Sequence, residues 1–171
     1  MSSPIERVAV IGSGVMGAGI AAHAANAGCQ VLLLDIVKEG DDRSAIANAA
    51  IKQMGKSNPE MLTHPRNASY ISAGNIEDDL DKLSEVDWVI EVIVENLGIK
   101  RSLYASMAEH IGPETIVSSN TSTLPRAELV EGMPSEMASR FLISHFFNPP
   151  RYLPLLEVVT SSEVSDSVTE R

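Results

Sequence analysis

The sequence predicts an α/β protein with a doubly wound, mostly parallel sheet and helices on both faces. Short apolar runs of strand length alternate with helical segments from residue 5 to about residue 145. Such alternation is typical of parallel strands joined by crossover helices. The first apolar run ends in a glycine-rich loop and the second ends in an aspartate. The chain has 171 residues, of which 44% are hydrophobic, and this suits a folded domain better than a disordered chain.

The first β-α-β unit is the most regular part of the pattern. Residues 8–11 are apolar and mostly β-branched, which predicts a buried strand. Residues 14–27 are rich in alanine and precede Gly28, as expected for a helix with a glycine just past its end. Gln30–Asp35 is a second apolar run and predicts a second buried strand, and residues 38–42 form a polar break.

The middle of the chain continues the alternation less regularly. A helix is predicted over residues 43–54, and a loop over 55–67, where Pro59 and Pro65 are expected to prevent a helix. The next segments are a strand at 68–73, a short helix or turn at 80–86, a strand at 87–91 and a helix at 94–111.

The last third of the chain completes a domain over residues 1–160. Its segments are strands at 115–119, 140–145 and 155–160, with a short helix at 124–129. Residues 161–171 are polar and rich in Ser, Thr and Glu. This tail is expected to be a linker or the start of a helix, outside the core.

Charge and cysteine content exclude several classes of partner. There are 13 basic and 23 acidic residues, which gives a formal net charge of −10. Nucleic acids and anionic membranes attract basic surfaces, so neither is an expected partner. The one cysteine, Cys29, excludes an internal disulfide and a cysteine-rich zinc site, and no metal is expected. The sequence contains no membrane span and opens no signal peptide, which predicts a cytoplasmic protein.

The glycine-rich loop predicts a dinucleotide site. It consists of Gly12, Ser13, Gly14, Val15, Met16 and Gly17. The loop follows a strand, opens a helix and lies in a β-α-β unit that ends in Asp35, which is the context that this motif needs in a Rossmann-type fold. Gly12 allows the tight turn, Gly14 lets the backbone approach a pyrophosphate, and Gly17 lets the helix pack against the strand.

Asp35 favours NAD over NADP as the cofactor. Its carboxylate is placed to accept hydrogen bonds from the hydroxyls of the adenosine ribose and would repel a 2′-phosphate. The next residue, Ile36, is not basic, which supports the same choice. The alternative is a structural turn beside a surface aspartate.

His145 is the histidine best placed for chemistry. It ends a predicted strand, so it is expected at the edge of the sheet where ligands bind. Imidazole suits proton transfer near neutral pH. Glu157 lies in an apolar run, where a carboxylate is costly unless it is paired. Pairing with His145 would fix the tautomer of the ring. The spacing also allows both to be ordinary edge residues.

Two other polar segments follow predicted strands. Ser122 lies in a run of hydroxyl and amide side chains that could hydrogen-bond a ligand. Alternatively, Ser122 or Thr123 caps the next short helix. Glu91 and Glu95 flank the end of another strand, and Lys100 lies one helical turn past Glu95. By spacing alone, a surface ion pair is the simpler interpretation.

Taken together, these segments resemble the NAD-binding domain of the 3-hydroxyacyl-CoA dehydrogenases of fatty-acid β-oxidation over residues 5–160. The matching stretches are residues 8–17, 32–35, 91–97, 119–122 and 145–149. The last stretch, His-Phe-Phe-Asn-Pro, is followed twelve residues after His145 by Glu157 and is more specific than the glycine loop. The chain looks most similar to the large multidomain form, in which a hydratase-like domain follows the dehydrogenase portion.

The resemblance implies a chemical role for each site residue. His145 would take the proton of the 3-hydroxyl of a (3S)-3-hydroxyacyl-CoA while a hydride passes from C3 to NAD, which yields 3-oxoacyl-CoA and NADH. Glu157 would orient His145 and stabilise the imidazolium. Ser122 would hydrogen-bond the substrate oxygen near the nicotinamide. The family's positions at the nicotinamide-ribose end are matched by Glu95, Lys100 and Asn148.

The resemblance also implies a missing part. The family follows this domain with a helical domain that completes the acyl-CoA site and usually forms the dimer, and the 171 residues do not contain it. We therefore expect a cofactor-binding fragment, monomeric and with little or no turnover, from a full-length homo-oligomer. Residues 38–67 do not match the segment that short-chain members use against CoA. Only their charge suggests Lys52 and Lys56 as contacts for CoA phosphates.

Two other functions fit part of the pattern. A nicotinamide-dependent reductase of a different, free hydroxy acid would use the same cofactor site. However, the lysine-based members of the wider β-hydroxyacid dehydrogenase group lack the His-Phe-Phe-Asn-Pro stretch. A non-catalytic NAD(H)-binding module would also keep the glycine loop, because one fold hosts many functions. The presence of both His145 and Glu157 argues against that alternative.

Overall fold

A computed structural model describes residues 4–171. Their strands form one seven-stranded sheet in the order β3-β2-β1-β4-β5-β6-β7. The strands are β1 Arg7–Ile11, β2 Gln30–Asp35, β3 Ile71–Asn75, β4 Trp88–Glu91, β5 Ile116–Ser119, β6 Phe141–Phe146 and β7 Leu156–Val159. Strands β1 to β6 are parallel, and β7 runs antiparallel to β6. The predicted doubly wound, mostly parallel sheet is confirmed.

Helices and 3-10 turns connect the strands. The helices are α1 Val15–Asn26, α2 Ala45–Met54, α3 Leu97–Met107, α4 Arg126–Leu129, α5 Ser135–Ala138 and α6 Asp166–Thr169. The 3-10 turns are Pro65–Tyr70 and Leu80–Glu85. Helix α1 ends as predicted, since Gly28 follows it with a φ of 95°. None of the helices formed by residues 4–171 is long and apolar enough to cross a bilayer.

Two apolar layers hold the helices to the sheet. In β1, Val8 and Val10 pack on the layer that contains α1 and α2, whereas Ala9 and Ile11 pack on the layer that contains α3 and α4. This alternation follows from the two-residue period of a strand. The strand order reverses between β2-β1 and β1-β4, so a crevice opens at the carboxyl ends of these strands.

Several predicted boundaries are wrong for local reasons. The strand predicted at 68–73 begins only at Ile71, because a 3-10 turn occupies Pro65–Tyr70. Pro65 opens this turn, although the proline was expected to prevent a helix there. Proline suits the first turn of a helix, where its missing N–H is not needed. The helix predicted at 94–111 begins at Leu97, because the side chain of Asn96 accepts the N–H of Ile99 and caps it. Helix α5 has no counterpart in the sequence prediction.

The tail at residues 161–171 is part of the fold. Val164 and Val168 are buried against Ile116 and Leu142, so the expectation that the tail lies outside the core is wrong, while the expected helix start is present as α6. Two ion pairs also hold this segment, Arg126 with Glu163 at 3.2 Å and Arg171 with Asp87 at 2.5 Å. A polar sequence still reaches the core here because Val164, just before the N-cap Ser165, and Val168 in α6 both pack on Ile116 and Leu142.

Candidate active site

The glycine-rich loop lies at the end of β1 and brings α1 close to the sheet. Gly12 has a φ of 104°, and a Cβ there would lie 2.6 Å from the carbonyl oxygen of Val92. A Cβ on Gly17 would lie 1.7 Å from the carbonyl oxygen of Gly12. Side chains at these two positions would therefore push apart the turn, the start of α1 and the loop that follows β4.

A cleft of about 590 Å³ opens beside this loop. Its lining includes Gly12, Gly14, Asp35, Ile36, Ile99 and residues 92–94. The volume is that of a small-molecule site, with apolar walls and a single carboxylate in its lining. Ile36, Val94 and Ile99 are exposed, which gives an adenine ring apolar surface to pack on. These features fit the adenosine half of a dinucleotide.

Asp35 is held rigidly at the end of β2. Its Oδ2 accepts the backbone N–H of Ser13 at 2.6 Å and the hydroxyl of Ser13 at 2.5 Å. Its Oδ1 accepts the N–H of Ile36 at 2.7 Å. The carboxylate is thus tied to the glycine-rich loop, at the wall of the cleft where an adenosine ribose would lie.

His145 and Glu157 form a hydrogen-bonded pair. The antiparallel register of β6 and β7 sets them directly opposite each other, and His145 Nδ1 lies 2.8 Å from Glu157 Oε2. The side chain of His145 is 20% exposed and that of Glu157 is 56% exposed. The sequence left open whether these side chains meet, and they do. With Nδ1 engaged by the carboxylate, Nε2 is the ring nitrogen that a substrate can use.

Ser122 lies between two threonines that anchor Glu95. The hydroxyls of Thr121 and Thr123 both donate to Glu95 Oε1, the latter at 2.8 Å. Burial alone would raise the pKa of the Glu95 carboxyl, but the two hydroxyls and Lys100 outweigh it and lower that pKa. Ser122 itself is exposed.

The capping alternative for Ser122 and Thr123 is wrong. Helix α4 begins at Arg126, and Pro125 occupies its N-cap position. Thr121 Oγ1 accepts the N–H of Leu124 at 3.0 Å and closes the turn before that helix.

The expectation of a surface ion pair around Lys100 is wrong, because Lys100 pairs with Glu91 in the interior. Lys100 donates to Glu91 Oε1 at 2.6 Å, and the two side chains are 1% and 0% exposed. Glu95 is a second and more distant partner of Lys100, at 3.4 Å. Spacing alone could not show this burial. A signal was present, however, since Glu91 ends an apolar strand and Lys100 shares one helix face with Tyr104, four residues later.

The remaining predicted positions lie in the surrounding loops. Asn148 is exposed in the loop after β6 and lines a smaller pocket of about 210 Å³ together with Val15. Lys52 and Lys56 are exposed at the end of α2 and just beyond it. Sequence reasoning placed Asn120 in the polar run that could hydrogen-bond a ligand and missed its structural role. Its side-chain oxygen accepts the N–H of Phe146 at 2.9 Å and ties the loop after β5 to β6.

Comparison with known proteins identifies the family of this chain. Residues 7–171 match the family described as the 3-hydroxyacyl-CoA dehydrogenase, NAD binding domain. The chain belongs to this family. The predicted resemblance is therefore confirmed, and so is the predicted cofactor, NAD.

Relatives of the family are longer than this chain. A probable 3-hydroxyacyl-CoA dehydrogenase of Bacillus subtilis is 46% identical, over 98% of this chain and 23% of the relative. A putative fatty acid oxidation complex trifunctional enzyme of Rickettsia felis is 47% identical, over 100% of this chain and 24% of the relative. The chain thus spans about a quarter of the length of these two relatives.

A solved structure shares the fold closely. The crystal structure of 3-hydroxybutyryl-CoA dehydrogenase from Escherichia coli matches with a TM-score of 0.81 and 32% sequence identity, over 98% of this chain and 35% of that chain.

Proposed function

We propose that the protein to which this chain belongs oxidises (3S)-3-hydroxyacyl-CoA to 3-oxoacyl-CoA in fatty-acid β-oxidation, and that this chain is its cofactor-binding part. The observation that carries the proposal is the pair formed by His145 Nδ1 and Glu157 Oε2, 2.8 Å apart. The pair lies at the carboxyl edge of the sheet, the same edge at which the dinucleotide cleft opens. A base oriented by a carboxylate is what the removal of a hydroxyl proton needs. The relatives named as a probable 3-hydroxyacyl-CoA dehydrogenase and a putative fatty acid oxidation complex trifunctional enzyme support the choice of substrate.

The cofactor would lie along the carboxyl edge of the sheet. Its pyrophosphate would sit on the glycine-rich loop at the start of α1, where free backbone N–H groups and the helix dipole favour an anion. Asp35 would bind the adenosine ribose. The nicotinamide end would be held by Glu95, Lys100, Ser122 and Asn148. When bound, NAD⁺ supplies the acceptor for the hydride that leaves C3 of the substrate.

His145 and its neighbours would handle the proton. His145 Nε2 would take the proton of the 3-hydroxyl as the C3 hydrogen leaves with its electron pair, so the C3–O bond becomes a carbonyl. Glu157 would hold the ring in one tautomer and stabilise the imidazolium that forms. Ser122 would donate a hydrogen bond to the same oxygen. The protein's contribution is position and charge.

This chain by itself would turn over little or no substrate. All four residues of β7 are exposed, including Glu157, so a substrate bound at His145 would face water. We infer that the rest of the longer protein covers this side, completes the acyl-CoA site and makes the homo-oligomer, while the fragment is a monomer. A cytoplasmic location and no binding to nucleic acid or membranes are part of the same proposal, in line with the net charge of −10.

The first test is a titration of this chain with NADH, followed by fluorescence or calorimetry, with NADPH as the control ligand. Saturable binding with a clear preference for NADH is the expected result. An absence of binding by a folded sample would contradict the cofactor site.

The second test replaces the base in the longer protein. His145→Gln should abolish oxidation of 3-hydroxybutyryl-CoA and leave NADH binding in place. The matched control is His110→Gln, since His110 follows α3 at the opposite end of the sheet. Equal activity of the two variants would favour a non-catalytic NAD(H)-binding module. Faster oxidation of the free 3-hydroxy acid than of its CoA thioester would favour the reductase alternative.

A further inference from the structure

Glu91 is a buried carboxylate that the proposed reaction does not use. It ends β4 and is 0% exposed. Its Oε1 accepts from Lys100 Nζ at 2.6 Å and from the N–H of Ile93 at 2.8 Å. Its Oε2 accepts from the hydroxyls of Tyr104 and Ser119, both at 2.6 Å. Four donors on two oxygens satisfy the carboxylate fully. The carboxylate is therefore fixed by contacts with four different residues.

These contacts join the two loops that carry the nicotinamide side of the site. The loop after β4 is held at Ile93, whose N–H binds Glu91 and whose carbonyl oxygen lies 3.5 Å from Lys100 Nζ. Ile93 also lines the cleft that fits the adenosine half. The loop after β5 is held at Ser119, three residues before Ser122. A displacement of Glu91 would therefore shift both loops.

We propose that Glu91 is a positioning residue that sets the nicotinamide half of the dinucleotide site through Lys100 and the two loops. The inference rests on the proposed function, because it takes Glu95, Lys100 and Ser122 as the nicotinamide side. The effect on the adenosine half is smaller, because Asp35 and Ser13 are held by each other at the end of β2. Of the four residues that donate to Glu91, only Ile93 lines the cleft that fits this half.

The charge of Glu91 is needed for this role, as well as its shape. Lys100 is 1% exposed, and a buried ammonium without a close partner is unstable. Its other carboxylate, Glu95, is 3.4 Å away and 41% exposed, so it is a weaker partner. Without the charge on Glu91, Lys100 would move toward Glu95 and water and displace the start of α3. Burial also raises the pKa of the Tyr104 phenol, which therefore stays protonated and donates.

The test compares the binding of NADH with the binding of ADP, which lacks the nicotinamide and its ribose. Glu91→Gln in the 171-residue chain should weaken the binding of NADH by about tenfold or more and the binding of ADP by a clearly smaller factor. The matched control is Asp87→Asn, a carboxylate-to-amide change just before the other end of β4. This control should leave the ratio of the two dissociation constants as it is in the wild type. Equal weakening of NADH and ADP by Glu91→Gln, or no weakening of either, would overturn the inference.

Two milder variants keep the test decisive if Glu91→Gln does not fold. Tyr104→Phe and Ser119→Ala each remove one donor from Glu91 Oε2 and change no charge. Each should shift the ratio in the same direction by a smaller factor, and an unchanged ratio in both would overturn the inference. The wild-type chain distinguishes a failure of this inference from a failure of the proposed function. If only the inference fails, the wild type still binds NADH, whereas if the proposed function fails, the wild type does not bind NADH.

Discussion

Asp35 Oδ2 accepts both the backbone N–H and the hydroxyl of Ser13, so the residue expected to choose the cofactor is locked to the loop expected to bind its phosphates. The lock places a negative charge at the cleft wall before any ligand arrives. A site organised in advance loses little free energy to ordering when the ligand binds.

Replacement of Asp35 should weaken NADH and relax the discrimination against NADPH. Asp35→Ala removes a charged acceptor and frees both donors of Ser13, which a 2′-phosphate can then use. We expect NADH to bind about tenfold more weakly, since a hydrogen bond to a charged group is worth about 1.5–3 kcal/mol. Titration with both cofactors measures this change. Asp41→Asn, which changes an exposed carboxylate beyond β2, is the control. Continued exclusion of NADPH by Asp35→Ala would contradict the prediction.

Loss of the Glu157 charge should slow the reaction without affecting the binding of the cofactor. In the longer protein, Glu157→Gln should lower kcat by about 10²-fold or more, because the ring of His145 loses the group that holds its tautomer. In the present chain the same variant should bind NADH as the wild type does. Glu163→Gln, an exposed carboxylate in the segment after β7, is the matched control for steady-state kinetics. A kcat unchanged by Glu157→Gln would remove Glu157 from the mechanism.

Asp87 should make the fold sensitive to acid. Burial alone would raise its pKa, but the N–H groups of Glu6 and Arg7 and the guanidinium of Arg171 outweigh burial and lower the pKa. A folded-state pKa below the unfolded value gives stability that is present above the unfolded pKa, about 3.9, and is lost as the pH falls through the folded pKa.

Asp87→Asn should therefore lower the free energy of unfolding at pH 7 by about 1–2 kcal/mol, with a smaller deficit at pH 3. Urea titrations at the two pH values measure the difference, with Asp81→Asn as the exposed control. A deficit that is equal at both pH values would show that the charge of Asp87 does not contribute.

The segment after β7 should contribute to stability. Val168 is 8% exposed in the cluster with Ile116 and Leu142. Val168→Ala should lower the free energy of unfolding by about 1–2 kcal/mol, because it removes buried methyl groups. Val158 on β7 is 53% exposed, so Val158→Ala should change stability little. Thermal unfolding of the two variants makes the comparison, and equal melting temperatures would place α6 outside the cooperative fold.

Much of the candidate site follows from local rules. The glycine-rich loop, Asp35 and His145 all directly follow or end predicted strands, and the carboxyl ends of parallel strands meet at one edge whatever the details of packing. Element order and the position of this edge were therefore readable from the pattern of apolar runs. The sequence predicts the ends of elements less well where a single residue decides them. Two residues are examples. Pro65 opens a 3-10 turn, where its missing N–H is not needed, and Asn96 caps α3 by accepting the N–H of Ile99.

The sequence by itself determined the class of fold, the glycine-rich loop and the identity of the residues at the carboxyl edge, because these depend on periodicity and on nearest neighbours along the chain. Only the tertiary structure decided which side chains pair with each other. The register of β6 and β7 brings His145 to Glu157, and the packing of α3 on the sheet buries Lys100 against Glu91. It also decided that α6 belongs to the core. Burial and register are properties of the assembled layers, and no spacing along the chain specifies them.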